Sequence, residues 1–234
     1  MINMAVRLLG QQGSGGFSPA DIGNLHAWYD ASQITGLSDG EAVSVWPDAS
    51  GNGRDANGAS APLFKTGILN GKPVVRFDGV DDVLQTGAWT AIAQPNTIFF
   101  VGSGIGADNQ YAFDGISDGN RHILYAYGGN TIMYGGTDGP TINGQSPDVF
   151  IYHMRFDEAS SVLHRAGGGG SVGASVGNEA LTGLTIGARF SARSFNDGDI
   201  AEIIVYNASL TLEEINDVGG YLSTKYGLTW TEAT

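Results

Sequence analysis

Cysteine is absent from this chain. That excludes a disulfide framework, a thiolate metal site and a cysteine nucleophile together. Charge is sparse as well. Only 15% of the 234 residues are Asp, Glu, Lys or Arg, and 11 basic residues face 24 acidic ones. The resulting formal charge of -13 repels phosphate, so nucleic acid is excluded as a partner. No stretch approaches the roughly 20 apolar residues of a membrane helix, so no membrane insertion is expected. The start of the chain carries Ile2, Met4, Val6, Leu8 and Leu9, but Asn3 and Arg7 break it. It lacks a basic opening and a small-residue cleavage site, and so makes a poor signal peptide. The expectation is a soluble protein without a classical secretion signal.

What the chain has in excess is glycine. Its 37 glycines are about twice the usual share and, among many β-formers, imply short strands joined by tight turns. Alternating or apolar runs predict strands at Leu25–Tyr29, Pro73–Phe77, Thr97–Gly102, Tyr111–Phe113, His122–Tyr127 and Thr131–Tyr134. Further runs at Val149–Phe156, Ser161–Arg165, Leu184–Ala188 and Ile200–Tyr206 continue the pattern. Asp-Gly, Asn-Gly and Gly-Gly pairs punctuate them. This spacing predicts an all-β sandwich or barrel. One helix is expected at Thr211–Tyr226. Thr211 and Glu214 form a capping box, Ile215, Val218 and Leu222 share a face, and Gly227 supplies the stop. Ser18-Pro19 opens a shorter helical turn. The chain divides into a flexible N-terminal arm, residues 1–16, and one domain, residues 17–234. The arm ends in Gln11-Gln12-Gly13-Ser14-Gly15-Gly16, and its alternation suits a strand added to this sheet or to a neighbouring subunit.

Two acidic turns suit a hard cation or a polar ligand. Asp48, Asn52 and Asp55 lie on the first, and Asp78, Asp81 and Asp82 on the second. The same residues also serve as ordinary turn formers that bond their own backbone. Tyr125, Tyr127 and Tyr134 form an aromatic strip if their segments make a hairpin across Gly128-Gly129-Asn130, because alternate strand positions share a face. Such a strip is either a sugar-stacking surface or sandwich core. Trp89, Tyr111 and Phe195 are further loop-type aromatics, while Trp28 and Trp46 read as core and Trp230 as packing for the C-terminal tail.

Catalytic patterns are weak. Gly167 to Gly170 is followed by no Lys-Ser/Thr pair and no helix, so it is a loop or hairpin end and not a phosphate cradle. No Gly-x-Ser-x-Gly elbow and no His-Glu-x-x-His helix occurs. Of the four histidines, His122, His153 and His164 fall in predicted strands, where hydrogen-bonded structural histidines are expected; His26 is the fourth. Asp197 and Asp199 can share a strand face, but the next alternate position is Ala201, and a regular strand turns Glu202 to the other side. The two-carboxylate requirement of glycoside hydrolysis is therefore unmet, and no enzyme activity is expected.

Three passages carry a resemblance. They are Trp28-Tyr29-Asp30-Ala31-Ser32; Asp48-Ala49-Ser50-Gly51-Asn52-Gly53 running on to Phe77-Asp78-Gly79; and Gly198 to Tyr206 with Tyr221 to Leu228 after it. Together they resemble the laminin-G-like branch of the concanavalin A-like lectin/glucanase superfamily over residues 17–230. The resemblance implies a two-sheet antiparallel jelly-roll sandwich with one short C-terminal helix. It implies calcium on edge loops, although Ala201 stands where calcium-binding members often carry an acid. It also implies a structural role for Glu202 in a polar network. A short leader, Phe17-Ser18-Pro19 and then the Trp28–Ser32 strand is similar to structural proteins of tailed bacteriophages. That similarity implies a virion component, in capsid decoration, tail or fibre, assembled in the host cytoplasm. Its partners would be other virion proteins or copies of itself, and cell-surface glycan. A lectin module is the alternative, and a glycoside hydrolase the third reading.

Overall fold

Alternation of apolar residues with short turns closes the chain into two antiparallel sheets packed face to face. The computed structural model describes residues 16–172 and 174–233. The arm expected over residues 1–16 lies, but for Gly16, outside the described residues. The strands are β1 (Leu25–Asp30), β2 (Val45–Trp46), β3 (Ala56–Asn57), β4 (Leu63–Leu69), β5 (Lys72–Asp78) and β6 (Leu84–Thr86). Next come β7 (Asn96–Gly102), β8 (Gln110–Asp114), β9 (Ile123–Tyr127), β10 (Asn130–Tyr134) and β11 (Asp138–Asn143). Then follow β12 (Phe150–Phe156), β13 (Val162–Arg165), β14 (Gly170–Val172), β15 (Thr185–Ile186) and β16 (Asp197–Tyr206), before the helix α1 (Leu212–Tyr226). The back sheet runs β14-β13-β12-β7-β16-β5-β4, with β1 also on β16, and the front sheet runs β11-β10-β9-β8-β15-β6-β3-β2. The jelly-roll-type sandwich read from the sequence is the observed class.

Between the sheets lies one continuous core that includes Tyr29, Trp46, Phe77, Phe100, Phe113, Leu124, Tyr152 and Val205. A second apolar layer covers the outer face of the back sheet. There Ile215, Val218, Leu222 and Tyr226 of α1 pack with Val74, Phe99, Val101, Ile151, Ile204 and Tyr206. The helix begins as its residues dictate: Thr211 Oγ1 accepts from the Glu214 N–H, and Glu214 Oε2 accepts from the Thr211 N–H at 2.8 Å. It ends at Gly227, which takes the left-handed conformation at φ 65°. Trp230 then folds back over Gly219, where any Cβ would overlap the indole.

Strand β16 departs from the regular geometry expected of it. Its register against β7 jumps between Ile200, opposite Gly102, and Glu202, opposite Val101. Ala201 is the extra residue of a β-bulge. Ile200 and Ile203 therefore face the inter-sheet core, while Ala201 and Glu202 both face the helix. This corrects the reading that sent Glu202 to the opposite side from Ala201.

Glu202 is completely buried and receives donors from two elements. The Trp28 indole N–H of β1 reaches Oε1 at 2.6 Å; the Tyr226 hydroxyl and the Lys225 ammonium of α1 reach Oε2, each at 2.7 Å. Lys225 also pairs with buried Asp30 at 2.7 Å. Burial pushes the Glu202 carboxyl up, the Lys225 charge pulls it back, and Asp30 adds to the rise. Glu202→Ala would leave the ammonium and two other donors short of an acceptor in the interior. The expected loss is about 3–5 kcal/mol with the urea m value retained, and a loss below 1 kcal/mol would contradict this role.

Of His122 and His153, only the second departs from expectation. His122 stacks flat on Phe156, centroids 3.9 Å apart, and its Nε2 meets the Glu179 carbonyl at 2.9 Å. His153, however, packs against Phe99 with neither ring nitrogen bonded. Burial lowers the His122 pKa from 6.5 to about 4 and that of His153 to about 3. Above pH 6.5 neither folded nor unfolded chain holds these protons. Below it the unfolded chain takes up protons that the folded chain refuses, so stability falls with pH until the folded values are reached. The pair is expected to contribute a slope of about 3 kcal/mol per pH unit near pH 5. His153→Phe should remove half of it, as read from urea midpoints at pH 7 and pH 5; an unchanged slope would rule the mechanism out.

Candidate functional site

The helix covers the back sheet, and no helix among the described residues covers the outer face of the front sheet. A hairpin organises that face. Gly128 and Gly129 join β9 to β10 with φ of 59° and 77°, which fits the two-residue type I′ turn. The turn fixes the register Tyr127↔Asn130, Tyr125↔Ile132 and Ile123↔Tyr134, and β8 adds Tyr111 opposite Tyr125. Since alternate residues share a face, Tyr125, Tyr127 and Tyr134 stand on the same side, as the hairpin condition required. From Tyr127 to Ile123 the face extends roughly 14 Å along the strand.

The three tyrosines are not equivalent. Tyr127 is 55% exposed and presents its ring. Tyr134 is half-buried, and Tyr125 is buried with Ile123 and Ile132. Tyr111 covers Tyr125 in a stack with centroids 5.0 Å apart, and the Tyr125 hydroxyl donates to Asp138 at 2.7 Å. Burial above all, and that bond second, raise the Tyr125 pKa well above the ordinary phenol value. Tyr125 thus positions Tyr111 and takes no outward part itself. Tyr111 lies on β8, where a strand was expected, and is the more accessible ring.

One end of the face is built around Arg121. Its guanidinium makes two bonds to the buried Asp114 carboxylate, at 3.0 and 2.8 Å. It lies between two rings, 5.2 Å from the Tyr134 centroid and 5.0 Å from that of Phe190. Phe190 is tied in through its own N–H, which donates to Asp114 at 3.1 Å. The loop from Arg189 to Phe195, of which only Phe195 was singled out, was missed as part of this site, because some 55 to 61 residues separate it from Tyr134 in sequence.

The two acidic turns have different fates. Asp48 accepts the Trp28 and Ser50 N–H groups at Oδ1, and the Ser50 hydroxyl and Arg54 N–H at Oδ2. Those four donors fill the roughly four lone-pair sites of a carboxylate. Asp55 accepts the Asp48 N–H, and Asn52 donates to the Leu25 and His26 carbonyls. This turn clasps β1 and offers a cation little, which corrects the metal reading for Asp48, Asn52 and Asp55. Asp78, Asp81 and Asp82 do converge, with ligand atoms within 4.8 Å of one another. Their donor type fits a hard cation, although Asp82 Oδ2 already accepts the Asp78 N–H and Asp78 Oδ1 the Val80 N–H. Burial, then the neighbouring charges, raise the Asp82 pKa. Among the other carboxylates considered, Asp199 is held by Arg76 at 2.7 and 2.8 Å, and Glu202 lies sealed beneath α1. A groove of about 560 Å³ beside Phe17, Lys72 and Tyr221 lies against the helix, and no acid is among its lining residues.

No family model matches this chain, and no curated protein matches it. Solved structures do. A Trypanosoma rangeli sialidase bound to the inhibitor DANA aligns over 88% of this chain with TM-score 0.58 and 16% identity. This chain spans only about a third (34%) of that sialidase. Domain 4 of AbnA, an extracellular arabinanase from Geobacillus stearothermophilus in complex with arabinotriose, aligns over 83% of this chain and 98% of its own with TM-score 0.60 and 16% identity. A GH54 arabinofuranosidase mutant aligns over 75% of this chain and 49% of its own, at TM-score 0.55 and 13% identity. These likenesses establish the sandwich fold.

The acidic cluster yields a prediction whose sign is diagnostic. In EGTA, Asp81→Asn relieves repulsion and should raise Tm by about 1–2 °C. In millimolar calcium a bound ion would reverse that sign, and an identical rise under both conditions removes calcium from this turn.

Proposed function

We propose that this chain is a non-catalytic glycan-binding module whose site is the outer face of the front sheet. The observation that carries the reading is an aromatic face that no helix covers among the described residues, with Tyr127 and Tyr134 on the β9–β10 hairpin and Tyr111 beside them on β8. Aromatic rings offer flat apolar surface to sugar C–H groups, while Asn130, Asp138 and Asn143 on the neighbouring strands bring hydrogen-bonding groups for hydroxyls. The arabinotriose complex of the similarly folded arabinanase domain supports the ligand class.

We further assign the module to a bacteriophage virion, as a decoration, tail or fibre component. The support is the order of Phe17-Ser18-Pro19 and Trp28 to Ser32 in the sequence. Its partners there are virion proteins or further copies, with glycan on the cell surface as the target. Co-sedimentation with particles assembled without it tests the assignment, and failure to join them argues for a free-standing lectin.

A glycan array followed by titration of the best ligand tests the site. Tyr127→Ala and Tyr134→Ala are each expected to weaken binding roughly tenfold, a loss of about 1.4 kcal/mol. Binding that survives both substitutions moves the site elsewhere, and turnover of any bound glycan ends the non-catalytic reading.

A further inference from the structure

We propose that the ligand of this face is an anionic glycan, whose carboxylate or sulfate is held by Arg189 and Arg193 at the edge of the tyrosine strip. The proposal rests on the glycan-binding reading of the face.

Arg189 and Arg193 form an antiparallel bridge, with the Arg189 N–H donating to the Arg193 carbonyl at 2.9 Å. Residues directly opposite one another share a face with Cβ atoms about 5 Å apart, and like charges there destabilise. Neither guanidinium has an ion-pair partner among the described residues. That is unexpected in a chain with 24 acidic side chains and a charge of -13. The backbone on either side of Arg193 adds strain: Ala192, in the turn joining the pair, and Ser194, just after it, adopt φ of 49° and 57°, a region costly for residues with a Cβ. The Arg189 Nε is buried with no acceptor. Two unpaired cations on a strained turn are what a missing anion would stabilise.

The pair also adjoins the right surface. Arg189 lies 5.6 Å from the Phe190 ring, the same ring that Arg121 meets at 5.0 Å. Burial raises the Tyr111 pKa, and the Arg189 and then the Arg121 charge draw it back, so Arg189 stands near half-buried Tyr111 as well. Arg121 itself is already neutralised by Asp114. Acidic groups on this face are Asp118, Glu179 and Asp138, grouped about Tyr134. Arg121 lies between Tyr134 and Phe190, with those acids about Tyr134 and the two arginines beyond Phe190, where Asp114 is already engaged by Arg121 and the Phe190 N–H. A sugar chain over the tyrosines would turn its anionic group toward Arg189 and Arg193. A guanidinium binds carboxylate or sulfate oxygens through paired N–H donors.

The test uses the full chain on an array pairing acidic sugars with neutral counterparts: polygalacturonate with its methyl ester, and dextran sulfate with dextran. At least one acidic member should bind tenfold or more tightly than its counterpart, and its identity separates carboxylate from sulfate. Arg189→Gln and Arg193→Gln should each weaken that ligand roughly tenfold and leave neutral sugars unaffected. Arg193→Gln should also raise the Tm of the free protein by about 1–2 °C, since it removes a repulsion. Equal binding of acidic and neutral sugars, insensitive to either arginine, overturns the proposal and keeps the tyrosine site. A lowered Tm for Arg193→Gln makes that arginine structural and likewise overturns it. Binding to no sugar on the array overturns the tyrosine-face reading together with the proposal.

Discussion

The buried carboxylate of Glu202 is the point on which the two halves of the back layer depend. Burying a charge is favourable only when donors replace the water it loses. Here the donors come from Trp28 on β1 and from Lys225 and Tyr226 on α1. Strand and helix must therefore be in place together for the carboxylate to be satisfied. The bulge at Ala201 makes this possible, because without the extra residue Glu202 would turn into the apolar core between the sheets. One irregular residue thus sets where the helix docks.

That docking decides which face is free. A sandwich has two outer faces, and α1 with the residues after it fills the back one with an apolar layer. No helix among the described residues covers the outer face of the front sheet, where Ile123 and Ile132 pack with Tyr111, Tyr125 and Tyr134, tyrosines whose rings pack while their hydroxyls can meet polar partners or water. The Tyr111–Tyr125 stack and the Arg121–Asp114 pair give the surface a fixed shape before any ligand arrives. Preorganised aromatic surface loses little side-chain entropy on binding, a condition for weak polar ligands such as sugars to bind at all.

Much of this was legible in the residues. Long strands such as β7 and β12 show continuous apolar runs because both faces are covered, and the Thr211/Glu214 box marks the helix start to the residue. The tyrosine strip was legible because Gly128-Gly129 fixes its register locally. The rest depended on distant contacts. Strands β2, β3, β6 and β15 are two or three residues long, too short to carry a period. β4 contains Gly67 at φ 69°, and β11 contains Pro140, which is tolerated because β11 is an edge strand. Nothing in Ile200-Ala201-Glu202 announces a bulge, since all three residues are ordinary strand occupants. Asp48 and Asp78 looked alike as acids on turns. Only the donors around them separate a carboxylate saturated by backbone from three that crowd together.

The low identity to the sialidase and arabinanase structures, 16% for each, follows from the same physics. An inter-sheet core asks for apolar residues of fitting volume at alternate positions, and many sequences meet that demand. Outer faces are under no such common constraint, so shared architecture carries little information about them. Specificity must then be sought where this chain departs from what folding alone would select. Isolated acids are inexpensive on its surface, and the buried carboxylates Asp30, Asp114 and Glu202 are each paired with a cation. Two arginines facing each other, with no ion-pair partner among the described residues, do nothing for folding, and a ligand that supplies the missing negative charge accounts for their position.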